Sequence, residues 1–234
     1  MRRVLTLYRS SVGKKIMMAI SGLILFGFIV AHMVGNLKAF QSADGDGTHP
    51  LDTYAEFLRE VGYPLVPEGG LLWAFRLVLL AAVGIHILAA IQLWSTARTA
   101  RPSRYRKEDS QVFSYASRTM RWGGVIVAAF VVYHILHFTT GHVHPDFEYG
   151  RVYDNLVVGF QNPLVAGFYI VAVGALCLHL YHGLWSVFTT LGVQNRKIDR
   201  IRRPLAAGIS VILFVGFVSV PLAVLARILT LTGS

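Results

Sequence analysis

Apolar residues run through this chain in long blocks, not in the narrow stripes of a soluble amphipathic helix. Five stretches contain no Asp, Glu, Lys or Arg: 16–37, 77–97, 122–145, 155–195 and 204–226. A bilayer's hydrocarbon core takes about 20 mostly apolar helical residues to cross, so each stretch can hold one span. The fourth could hold two by length alone. Its first part, Asn155–Pro163, is polar and broken by proline, so it is read as a single span starting near Pro163. The pattern predicts an all-α integral membrane bundle of five transmembrane helices, over about 16–37, 71–97, 120–140, 163–191 and 204–227.

The connections differ in character. Segment 38–70 is predicted to contain a short amphipathic helix around Leu51–Val61, ahead of Tyr63-Pro64. Segment 141–162, rich in Asp, Tyr and Gly, reads as an ordered loop lying on the membrane surface. There is no internal repeat, low-complexity tract or domain linker, so residues 1–234 are expected to form one bundle. The first apolar run is too long for a cleavable signal and lacks a small-residue cleavage site.

Composition sharpens the membrane reading. Hydrophobic residues make up 54% and charged residues 15%, against about 25% charged in soluble domains. The net charge of +10 would suggest nucleic acid in a soluble protein, but its placement points elsewhere. Seventeen of the 22 Lys and Arg lie in the N-terminal arm, in 98–121 and in 196–203, whereas 38–70 and 141–162 are acidic. Five crossings under the positive-inside rule leave this alternation. The expectation is a multi-pass chain in a bacterial cytoplasmic membrane, N-terminus cytoplasmic and C-terminus outside, with lipid rather than nucleic acid around it.

The one cysteine, Cys177, rules out a disulfide, an iron–sulfur cluster or a covalently held c-type haem built by this chain alone. Gly13-Lys14-Lys15 is not a phosphate loop, because Tyr8 stands where its first glycine belongs. Histidines are the conspicuous polar residues. His49, His142 and His144 fall in connections, but His32, His86, His134, His137, His179 and His182 fall in four successive spans, and the fifth span has none. Ionisable residues at membrane depth are costly and face a partner. A lone one can be an interhelical hydrogen-bonding residue. Four helices each carrying one are better suited to haem, since two axial imidazoles hold one iron and four serve two. Zinc would need four imidazoles at one depth, and His32 lies near the end of its span while His86 lies near the middle. Small residues could give a macrocycle room: Gly35 after His32, Ala82 and Ala90 about His86, and Gly183 after His179. That favours His179 over His182, whereas spacing does not decide between His134 and His137.

Several segments then become familiar. Ser10–Lys15 leads into Met18–Leu23 and Ala31–Leu37, followed by Ser117–Met120, Tyr133–Thr139 and His179–Ser186. In this order and spacing, from about residue 8 to 222, the chain resembles the single-chain, five-helix dihaem cytochrome b membrane anchor of succinate dehydrogenase and fumarate reductase, respiratory complex II. The resemblance implies two b haems with iron ligands His32, His86, His134 and His179. It pairs His32 with His134 for an outer haem and His86 with His179 for an inner one that receives electrons first. It implies a quinone, usually menaquinone. It also implies a flavoprotein and an iron–sulfur partner on the cytoplasmic face, joining the tricarboxylic acid cycle to electron transport. The chain would be non-catalytic alone. Lys14, Lys15, Arg118, Trp122 and His182 are its candidates for propionate or quinone contacts. The competing readings are a dihaem cytochrome b of another respiratory dehydrogenase, or a membrane anchor without haem.

Overall fold

The computed structural model describes residues 10–43, 45, 47–99, 113–193 and 195–232. Among them are seven α-helices and no strand. Five are long and apolar enough to cross a membrane, so the protein is an all-α membrane bundle. Helix α1 (Ser11–Asn36) starts where the Ser10 hydroxyl accepts the Gly13 N–H at 3.0 Å, satisfying one of the unpaired donors of the first turn. A tight turn, Leu37–Phe40, follows it. The second span, α3, covers Gly70–Thr99, and the third, α4, covers Phe113–His134 and runs on through a wider π turn, Ile135–Thr139. Asn162 caps the fourth, α6 (Pro163–Thr190), and Gly192 in a left-handed conformation stops it. The fifth, α7 (Arg196–Leu225), is capped by Asn195, whose carbonyl oxygen accepts from the Lys197 and Ile198 amides.

Two differences from the sequence expectation stand out. The 141–162 segment is not loop throughout: Val152–Gln161 forms a helix, α5. Its polar residues concealed Leu156, Val157 and Phe160, which share one face and are buried against the bundle. The fifth span also begins two turns early, because Arg196–Arg203 is already helical despite its charge and Pro204. The predicted short amphipathic helix is α2 (Pro50–Glu60), started by Pro50 at its first turn and by His49, whose Nδ1 accepts the Leu51 N–H at 3.1 Å.

Packing is uneven. Helix α1 lies against α3, α6 and α7, and α6 also packs on α4 and α7. Large apolar side chains on α3, such as Trp73, Phe75, Leu77 and Leu80, are exposed. In water that would be a large unpaid apolar surface; in a bilayer it is the lipid face. The two ends also differ. One, here the cap end, gathers α2, α5, the 37–40 turn and the 226–232 tail. The other, the basic end, carries Arg98, Arg121 and Arg196–Arg203.

Cap-end pieces are joined by specific bonds. Asp52 accepts the Tyr153 N–H at 2.9 Å, His49 stacks on Tyr153 at 3.6 Å, and the Tyr153 hydroxyl donates to the Thr230 carbonyl. Asp154 accepts the Thr232 amide and hydroxyl at 3.0 and 2.8 Å and pairs with Arg151.

Candidate functional site

The span histidines meet in twos. His32, late in α1, faces His134 at the end of α4 with ring centroids 5.7 Å apart and planes at 82°. His86, mid-α3, faces His179 on α6 with centroids 6.2 Å apart and planes at 64°. These are the two pairs that the family pattern implies. Among the described residues no three His, Cys, Asp or Glu side chains converge as a metal-holding group. The chemistry on offer is therefore two separate imidazole pairs, the first toward the cap end and the second toward the basic end.

The cap-end pair sits among aromatic rings. Phe28, one turn before His32, stacks on it at 5.3 Å, as the four-residue helical spacing requires. Phe217 of α7 lies 5.9 Å from His32, and Phe130, Phe138 and Tyr169 lie within 6 Å of His134. The basic-end pair has smaller neighbours. The Met18 carbonyl lies 3.2 Å from His86 Nδ1, and the Ser21 hydroxyl lies 3.3 Å from it. A carbonyl can only accept, so that nitrogen carries the proton and Nε2 keeps its lone pair. Ser21 turns its own proton back to the Met17 carbonyl at 2.8 Å. A Cβ on Gly22 would come within 3.2 Å of His86, so glycine there gives that imidazole room, whereas one on Gly124 would meet His179 at an ordinary contact distance of 3.7 Å. The His179 Nδ1 is buried with no hydrogen-bond partner among the described residues.

The remaining histidines have other contacts. His137 is almost fully buried, and its Nδ1 is 3.0 Å from the Tyr169 hydroxyl of α6. His144 donates from Nε2 to the Asn155 carbonyl at 2.8 Å and accepts the Asp146 N–H at Nδ1. His182, one turn past His179, packs edge-on against Trp185 at 4.9 Å. Lys14 is half-buried at the start of α1, Lys15 is exposed, and Trp122 is 74% exposed. The side chain of Arg118 lies outside the described residues.

The small residues that spacing singled out have different surroundings. Gly35, expected to make room beside His32, is packed against Tyr54 of α2, which a Cβ would meet at 3.1 Å. Ala90 is exposed, while Ala82 is buried. A Cβ on Gly183 would meet open space. Sequence reasoning passed over Ser21, Gly22, Gly124 and Tyr169. The signal that could have found Ser21 and Gly22 is their place in the Met18–Leu23 segment, one of those carrying the resemblance.

Compared with known proteins, residues 95–220, over half of the chain, match the family model described as the succinate dehydrogenase/fumarate reductase transmembrane subunit. No curated protein and no solved structure matches.

Proposed function

The chain belongs to the succinate dehydrogenase/fumarate reductase transmembrane subunit family, and from that premise we propose that it is the dihaem cytochrome b anchor of such an enzyme. The observation that carries the proposal is the pairing of four span histidines across helices. An imidazole–metal bond is about 2 Å long, so two rings facing one ion stand with centroids about 6 Å apart. Separations of 5.7 and 6.2 Å suit that. In this reading His32 with His134, and His86 with His179, would hold the irons of two b haems, which supply one-electron carriers when bound.

The chain's own part is to orient and shelter. The Met18 carbonyl fixes the His86 proton on Nδ1 and strengthens Nε2 as a donor, the usual arrangement behind a ligating histidine. The aromatic rings about His32 and His134 keep water from the cap-end pair. At the basic end, Trp94 lies between Arg98 and Arg121, and Trp185 between Arg202 and Arg203, with each cation within 6 Å of a ring centroid. These groups would meet propionates, a quinone or the partner proteins, as would Lys14, Lys15, Arg118, Trp122 and His182. The basic end is cytoplasmic in this proposal, where a flavoprotein and an iron–sulfur subunit dock. The electron acceptor is a quinone, menaquinone by the family pattern.

Purification of the tagged chain from its native membrane tests the reading. A large flavoprotein and a cysteine-rich partner should co-purify, and the reduced-minus-oxidised spectrum should show two b-type components. Haem with different partners would point to another respiratory dehydrogenase, and partners without haem to a bare anchor. Orientation has its own test: a reporter fused after Ser234 that is active only in the cytoplasm would reverse the assignment.

A further inference from the structure

Two imidazoles, the buried His137 and the half-buried His134, approach one hydroxyl. Tyr169 of α6 is 5% exposed, and its hydroxyl lies 3.0 Å from His137 Nδ1 and 3.4 Å from His134 Nδ1. A phenol has one proton and accepts as well, so it can donate to at most one of the two nitrogens, and when it does it accepts from the other. The phenol proton goes to the nearer nitrogen, where the bond it forms is the stronger. The shorter contact is to His137. Donation there leaves the phenol oxygen to accept the His134 Nδ1–H. His134 then has its lone pair on Nε2. The reverse arrangement would put the His134 proton on Nε2 and spoil that nitrogen as a metal donor.

Tyr169 is itself held in place. Phe130 and Phe160 meet its ring edge-on at 5.1 and 5.0 Å, and Phe138 lies at 5.6 Å. A rigid hydroxyl between two histidines of one helix, at the π turn that brings His137 round toward α6, fixes a tautomer as well as filling space.

We propose that Tyr169, through the hydrogen-bonded chain His134–Tyr169–His137, is the positioning residue that selects the Nδ1-protonated form of His134 and aims its Nε2 at His32. This rests on the haem reading of that pair. It gives the cap-end pair the counterpart of the Met18 carbonyl behind His86, supplied by a side chain from a different helix.

The test uses the intact complex and reads each haem by low-temperature electron paramagnetic resonance and by redox titration. Tyr169→Phe keeps the ring and removes the hydroxyl. The cap-end component should shift its low-spin signal and its midpoint, or fall in occupancy, as for other outer-shell partners whose loss costs about 10–100-fold in metal affinity or activity. The basic-end component should keep its wild-type values. Unchanged signals from both components, or a shift confined to the basic-end one, would overturn the proposal. Two His137 variants decide it if Tyr169→Phe does not assemble. His137→Gln keeps an acceptor for the phenol proton and should leave the cap-end signal in place. His137→Leu frees that proton to turn toward His134 Nδ1 and should disturb it, so equal behaviour of the two variants refutes the tautomer argument. A wild-type complex without two low-spin components would sink the haem reading itself, and this inference with it.

Discussion

The two histidine pairs share one chemical design built from opposite materials. At the cap end, His32 and His134 are walled by Phe28, Phe130, Phe138, Tyr169 and Phe217, and the nearest hydrogen-bonding group is a phenol from another helix. At the basic end, His86 and His179 lie beside Gly22 and Gly124, and the nearest hydrogen-bonding group is a backbone carbonyl of α1, ahead of the Ser21 hydroxyl, whose proton is turned to Met17. A side chain can be mutated away; a carbonyl cannot. The cap-end site should therefore be tunable through single side chains. The basic-end site should respond mainly to crowding. Bulk follows the same division, since the larger buried cluster, with Leu156, Phe160, Tyr169 and Val224, lies on the cap side.

The largest expected effect tests whether there are two sites at all. His32→Leu and His134→Leu should each abolish the same spectral component, and His86→Leu and His179→Leu should each abolish the other. A single missing imidazole leaves an iron with one axial protein ligand, so the low-spin signal of that site should vanish rather than shift. If variants within one pair remove different components, the pairing is wrong even though two haems remain.

A smaller effect tests the contrast in materials. Gly22 and Gly35 both lie on α1, and a Cβ would press on His86 at 3.2 Å in one case and on Tyr54 at 3.1 Å in the other. Gly22→Ala should move the basic-end component, at an overpacking cost of about 1 kcal/mol. Gly35→Ala should cost about as much, but it should appear as looser docking of α2 with both haem signals unchanged. A cap-end spectral shift from Gly35→Ala would restore the idea that this glycine makes room beside His32.

That pair of glycines also shows what could be read from the chain alone. Which residues are polar inside an apolar run is a property of one segment, so the six span histidines were legible at once. The i, i+4 spacing places Phe28 on His32 without reference to any other helix. What a helix face meets depends on its rotation against neighbours, and that is settled by packing far away in sequence. Gly35 looked like a His32 neighbour by spacing, yet its face is turned to α2. Tyr169 is 35 positions from His134, and no local pattern links them. Helix α5 escaped for another reason. Asp154, Asn155 and Gln161 gave it a loop's composition, and the contacts that settle the first two, Asp154 with Thr232 of the tail and Asn155 with the Glu148 backbone, exist only once the chain around α5 has folded.

The smallest effect concerns those contacts, and asks whether the cap end's bonds hold its pieces together. Burial opposes ionisation of Asp154, but the Thr232 amide and hydroxyl and the Arg151 guanidinium outweigh it, and the carboxyl titrates below its ordinary value. The folded value is the lower one, so the carboxylate's contribution is fully present above the unfolded value, about 3.9. It is lost as pH falls through the folded value. A spin label at Thr230→Cys should therefore be immobile at neutral pH and gain mobility only below about pH 4. Adding Asp154→Asn, which takes the charge out of those bonds, should give the mobile spectrum at every pH. Both haem components should be untouched, because the tail meets α5 and not the histidines. If instead the label stays immobile in the Asp154→Asn chain, Leu229, the Tyr153–Thr230 bond and the Arg151–Thr232 bond suffice to hold the tail, and the carboxylate is not what fastens it.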